Sequence, residues 1–316
     1  MKTRKAIWAI AALALLSSAC ATRRYGRPIG GFQAASAVVI ASTRQWLETA
    51  NKLERDHYID SQRAAGDVIE PKQLEEMNRT FAAEDIAARM QALRILGDYG
   101  ALLARLAATE GPQEASAAVK ELGEGVKSLG TTATKLCTGA GCATGNTRFQ
   151  QATGVVAKVV GRILEGWLSR KAGVALDETI VEAEQPVSEL IGAIRQDIQS
   201  LAERRRQAAS EQWSAAIREF NAEAKGKPAT PERLRVLAER VKTQADLRER
   251  LASDAPTAAL DAMDKAHRAL VTYARSKKTP QTFSQVVDAV DAFATAAAQA
   301  ARAALPVLER LRQEVL

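Results

Sequence analysis

Apolar residues recur along most of this chain at steps of three and four, and charged residues of both signs fill the positions between. That period lays one apolar stripe along a helix, whereas a half-buried strand alternates every second residue. Val39, Trp46, Leu47, Ala50 and Leu53 form the first stripe and predict a helix over 33–65, ended by Gly66-Asp67. Pro71 is placed to open the next helix, where its missing N–H breaks no bond. Leu74, Met77, Phe81, Ile86, Met90, Leu93, Leu103 and Leu106 carry its stripe as far as Gly111-Pro112. Gly97 and Gly100 interrupt it; each costs up to about 1 kcal/mol in an exposed helix or lets another helix approach closely.

The segment 112–136 is weakly helical, with Gly123, Gly125 and Gly130. From Thr147 a stronger stripe runs through Val155, Val159, Ile163, Leu164 and Trp167, with Lys158, Arg162 and Glu165 breaking it up too often for a lipid-buried span. Pro186 opens a long helix to Lys225, carrying Val187, Leu190, Ile191, Ile194, Ile198, Leu201, Ile217 and Phe220. Arg204-Arg205-Arg206 within it reads as a solvated face. The linker 225–230 ends in Thr230-Pro231, an N-cap and first-turn proline for the next helix. Pro256 and Pro280 start two more, the last with Phe283, Val286, Val290 and Phe293 on its buried face; Pro306 is expected to kink or divide it, because an interior proline costs about 3 kcal/mol. No strand and no repeat of fixed period is evident. The fold class expected is all-α: an elongated bundle of long amphipathic helices joined by short loops.

Composition agrees. Of 316 residues, 47% are hydrophobic but only 4% aromatic, so alanine and aliphatic side chains must build the core. That favours close helix packing over a β-sandwich, which draws on β-branched and aromatic residues.

The N-terminus breaks the pattern. Lys2, Arg4 and Lys5 precede an uncharged apolar run over 6–16, and Ser17-Ser18-Ala19 supplies small residues before Cys20. This is the layout of a secretory signal peptide, and the uncharged run falls short of the roughly 18–20 residues of a membrane span. A cysteine directly after small residues resembles the lipobox of bacterial lipoproteins. Ser18 and Ala19 fit that pattern; Ser17 departs from it, the preferred leucine standing one place earlier at Leu16. The resemblance covers the first twenty residues. It implies a diacylglycerol on Cys20, cleavage before it, and, from Ala21 in the next position, an outer-membrane anchor facing the periplasm. Ordinary signal peptidase cleavage, after Ala19 or Ala21, is the other reading.

The expected organisation is therefore a signal peptide over 1–19, a lipidated Cys20 with a flexible basic tether over 20–32, and a helical domain over 33–316 with a possible sub-boundary at 225–230. Gly26, Pro28, Gly30 and Gly31 discourage regular structure in the tether. Export and lipidation of Cys20 leave Cys137 and Cys142 as an even pair with four residues between them, Gly139 and Gly141 included, for which a cystine is the natural reading and a free or redox-active pair the alternative.

The charge then takes on a different meaning. The chain carries a net +7, but losing Lys2, Arg4 and Lys5 from its 44 basic residues leaves 41 against 37 acidic, and setting aside Arg23, Arg24 and Arg27 leaves 38. The surplus sits beside the anchor. There the three arginines either contact the membrane surface, at about 1 kcal/mol each on an anionic leaflet, or form a solvated tether. Nucleic acid is not an expected partner.

Candidate chemistry is thin. No metalloprotease, nucleophile-elbow, P-loop or EF-hand signature is present. His57 and His267 read as packed or surface histidines, His267 through an i, i+3 pairing with Asp264. Asp261/Asp264 and Asp288/Asp291 each share a helix face but lack the Glu-x-x-His partners of a di-iron bundle. No catalytic residue, cofactor or metal is expected. The leading expectation is a non-enzymatic, envelope-anchored protein with a protein partner; the alternative is a membrane-active protein using the glycine- and alanine-rich hairpin over 122–181.

Overall fold

The computed structural model describes residues 25–47, 55, 58–59, 61–63, 65–77, 83–108, 120, 124, 172–226, 230–251 and 255–313. Of the described residues 93% are helical and none is in a strand, so the fold is all-α. The main elements are α1 (25–47), α2 (Pro71–Met77), α3 (Ala83–Ala107), α4 (Ala172–Glu182), α5 (Glu184–Lys225), α6 (Pro231–Leu251), α7 (Ala255–Arg275) and α8 (Pro280–Gln313).

The largest departure from expectation lies in α1. Residues 25–32, read above as part of a flexible tether, are helical, and Tyr25, Ile29 and Phe32 are buried. They extend the stripe of Val39, Trp46 and Leu47 two turns toward the N-terminus. The physical reason is a balance of magnitudes. A helical glycine costs about 1 kcal/mol, but full burial of an isoleucine or phenylalanine returns about 1.5–3 kcal/mol each. Gly31 is also needed where it stands: a Cβ there would lie 2.8 Å from Cγ1 of Val290 in α8. Pro28 is among the first four described residues, so its missing N–H breaks no bond between them.

α1 is the hub of the bundle. Its Tyr25 ring meets Tyr273 of α7 edge-on at 5.1 Å, and Phe32 packs on Phe293 of α8 at 5.6 Å. On another side, Cβ atoms added at Gly97 and Gly100 of α3 would meet Ile40 at 3.3 Å and the backbone of Gln33 at 3.7 Å. These are the close approaches that two glycines in a helix allow, and they run α3 antiparallel to α1. α7 is antiparallel to α1 as well, since Tyr25 lies against Tyr273 and Phe32 against His267.

α4 and α5 form one path broken at Ala183. Pro186, expected to open the long helix, lies in its first turn; without an N–H it cannot donate back to Glu182. The ladder resumes with Val187 N–H donating to the Ala183 carbonyl at 3.0 Å. α7 and α8 are joined by a tight turn in which Lys278 has a left-handed φ of 58°. Its ammonium donates to the Tyr273 and Ala274 carbonyls at 2.8 and 2.5 Å, satisfying acceptors that the end of a helix leaves open. Thr279 caps α8: its Oγ1 accepts from the Thr282 N–H at 3.2 Å. α8 continues through Pro306 to Gln313 without division.

α5, with 42 residues, is the longest described helix. At about 1.5 Å per residue it is roughly 63 Å long. Arg205 near its middle reaches the Trp46 carbonyl in the last described turn of α1, so about twenty residues of α5 extend past that contact. α6 folds back along this extension, tied by Arg233–Glu223 at 2.9 Å and Arg240–Glu219 at 2.5 Å. α5 ends at Lys225 and α6 starts at Pro231, on either side of the linker expected at 225–230, and the Gly226 N–H donates to the Ala222 and Glu223 carbonyls.

Candidate functional site

Two groups of polar residues sit inside the bundle. The deeper one centres on His267, which is fully buried, and this overturns its reading as a helix-surface partner of Asp264. His267 lies on the inward stripe of α7 with Met263, Leu270 and Ala274, and burial decides its state. Its Nε2 is 2.9 Å from the Tyr99 hydroxyl of α3, while Phe32 and Tyr99 flank the ring. Burial lowers its pKa from 6.5 to about 4, with Asp264 opposing and Arg268 adding to the shift. Burial also raises the Tyr99 phenol far above its ordinary range. Both groups are therefore neutral at pH 7. Nδ1 of His267 is buried without a hydrogen-bond partner among the described residues. The pair ties α3 to α7.

The second group lies where α1 begins. The Tyr25 hydroxyl donates a short hydrogen bond to Asp177 of α4, and Lys278 Nζ stands 3.1 Å from the same carboxylate. The ammonium also lies 5.8 and 5.1 Å from the ring centroids of Tyr25 and Tyr273. Burial first, then the bond to Asp177, pushes the Tyr25 phenol well above its usual range. Four elements are joined here: α1, α4, α7 and the turn into α8.

Other charged residues read from the sequence turn out to be ties between helices. Arg205 is not part of a solvated arginine face: it is buried, donates to the Trp46 carbonyl at 2.6 Å and lies 4.3 Å from the Trp46 ring centroid. Asp261 pairs with Arg195 of α5 at 2.5 Å. Asp264 accepts from Ser188 at 2.5 Å and Arg268 at 2.8 Å. Asp288 and Asp291 are exposed on α8. Arg89–Asp197, a largely enclosed bridge of 2.7 Å between α3 and α5, has no signal in the sequence pattern. Among the described residues, no group of three or more His, Cys, Asp or Glu is placed to hold a metal ion, and no helix is long and apolar enough to cross a membrane.

Arg27 is exposed on the first turns of α1. Cys20, Arg23, Arg24, His57, Cys137 and Cys142 lie outside the described residues, as does most of the hairpin 122–181, of which only 124 and 172–181 are described. Compared with known protein families, curated proteins and solved structures, the chain matches none.

Proposed function

We propose that this chain is an envelope-anchored helical lipoprotein that works as a structural or interaction protein in the periplasm. The observation carrying this reading is the spacing between anchor and core. Cys20, at the lipobox-like position, stands five residues before Tyr25, the first described residue of the bundle, which is buried. An extended chain advances at most about 3.6 Å per residue, so an acylated Cys20 holds the bundle within roughly 18 Å of the bilayer. α6 folds back along the last half of α5, and this hairpin offers a long surface to another envelope component. Ala21 after the lipidated cysteine favours the outer membrane, and a Cys137–Cys142 cystine belongs to the same reading of an oxidising compartment.

In-cell crosslinking through residues on the outer face of α6, such as Val236, which is 59% exposed, tests the interaction role. A discrete crosslinked partner, lost when the hairpin surface is changed, is expected. A protein that stays monomeric and captures nothing contradicts it. Fractionation reads the anchor separately: a Cys20→Ser variant is expected to be washed from the membrane fraction by high salt, whereas the acylated parent stays.

A further inference from the structure

The fold gathers basic residues from three places at the end of the bundle where α1 starts. Arg27 is exposed on α1. Lys277 is exposed in the α7–α8 turn, which Lys278 and Tyr273 hold against Tyr25. Arg105, half-buried, occupies the last turn of α3, which runs antiparallel to α1 past the Gly100–Gln33 contact toward the same end. None of the three has an ion-pair partner among the described residues. The nearby carboxylates of Asp177 and Glu184 are committed to Lys278 and to Arg275 (2.6 Å). Glu178 is half-buried with contacts of its own, and Glu182 is an exposed acid at the end of α4.

We propose that this end of the bundle is apposed to the bilayer and that Arg27, Arg105 and Lys277 contact anionic phospholipid headgroups. The inference rests on the anchored reading, because an acylated Cys20 brings this end, and no other, within reach of the surface. It carries the contact beyond the tether arginines to side chains fixed by the fold. α1 and α5 then both run away from the bilayer, and the α5–α6 tip stands at the far side.

The test uses the mature-length chain with Cys20→Ser, so that no acyl chain contributes. The chain is expected to cosediment with phosphatidylcholine vesicles containing phosphatidylglycerol, and to be released by salt. Pure phosphatidylcholine vesicles are expected to leave it in solution. Arg27→Gln/Lys277→Gln, two changes at exposed positions, is expected to weaken partitioning about thirty-fold, from the contribution of each cation near an anionic surface. Arg105→Gln is read beside its own unfolding curve, and a further loss of binding with an unchanged curve is expected. Arg23→Gln/Arg24→Gln separates the tether from the fold. If only that variant loses binding, or if the parent ignores the anionic vesicles, the proposal is overturned. The anchor itself is read independently, from the mass of Cys20 in the native protein.

Discussion

The bundle around α1 and the α5–α6 hairpin are both helical, but different forces hold them. In the bundle, Ile29, Phe32, Leu102, Leu103, Met263 and Phe293 are completely or almost completely enclosed, and polar residues inside include the cross-helix ties Tyr99–His267 and Arg205–Trp46. In the hairpin the enclosed seam is thin. It consists mainly of Ala216, Leu237 and Gln244, while Trp213, Ile217 and Phe220 stay half-buried; Ala209 belongs to the bundle core, and Leu247 packs against it. What two helices cannot cover between them is supplemented by charge: Arg248 lies 4.8 Å from the Trp213 ring centroid, and arginine–glutamate pairs span the two helices. Two helices packed alone always leave one side of their shared stripe open. The bundle is thus specified by packing. The hairpin holds its shape with less burial and keeps a large surface free for other contacts.

That contrast can be broken by experiment. Leu102→Ala, at a fully buried site, is expected to cost about 2–5 kcal/mol in chemical denaturation. A smaller loss would mean the bundle is looser than its burial implies.

The next largest effect concerns pH. His267 has its ordinary pKa near 6.5 when unfolded and about 4 when folded. Between these values the unfolded chain takes up the proton and the folded chain does not. Stability from this group is therefore complete above pH 6.5 and falls as the pH is lowered toward 4, by about 3 kcal/mol in all. Denaturation of parent and His267→Gln at several pH values isolates this contribution from that of the carboxylates. Parallel pH profiles would contradict the buried, neutral assignment.

In the hairpin, Ile217→Ala is expected to cost about 1 kcal/mol, since half of that side chain's burial is missing from the start. Its hydrogen exchange should quicken in α6 and leave α1 unchanged. An equal loss of protection in both regions would show that hairpin and bundle unfold as one unit. The smallest effect is expected at Arg235, whose exposed pair with Glu232 is worth no more than about 0.5 kcal/mol. Arg235→Ala should leave the unfolding curve almost unmoved.

How much of this was legible in the chain depends on whether local signals agreed with packing. The starts of α6 and α8 were readable from Thr230-Pro231 and Thr279-Pro280, because a cap and a first-turn proline act locally. The first turns of α1 were not, because Gly26, Pro28, Gly30 and Gly31 signal a loop locally while Tyr25, Ile29 and Phe32 are rewarded only by helices far away in sequence. The stripe was nevertheless there: 25, 29, 32, 39 and 46 keep one helical face. His267 and Arg205 were missed for a related reason. Each is polar, yet each lies within an apolar stripe, His267 beside Met263 and Leu270, Arg205 beside Ile198, Leu201 and Ala209. Position on the helix face outweighed residue type. The Arg89–Asp197 and Tyr99–His267 contacts had no sequence signal, since their members lie 108 and 168 residues apart.

The most direct test asks whether residues 25–32 are core or tether. The mature-length chain carrying Ile29→Ala and Phe32→Ala, both at fully buried positions, should be compared with its parent in urea. If α1 begins at this end and organises the bundle, the pair is expected to cost at least about 5 kcal/mol, much of a domain's stability, and to shift the whole transition. An unchanged transition would contradict the account and return residues 25–32 to the role of a tether.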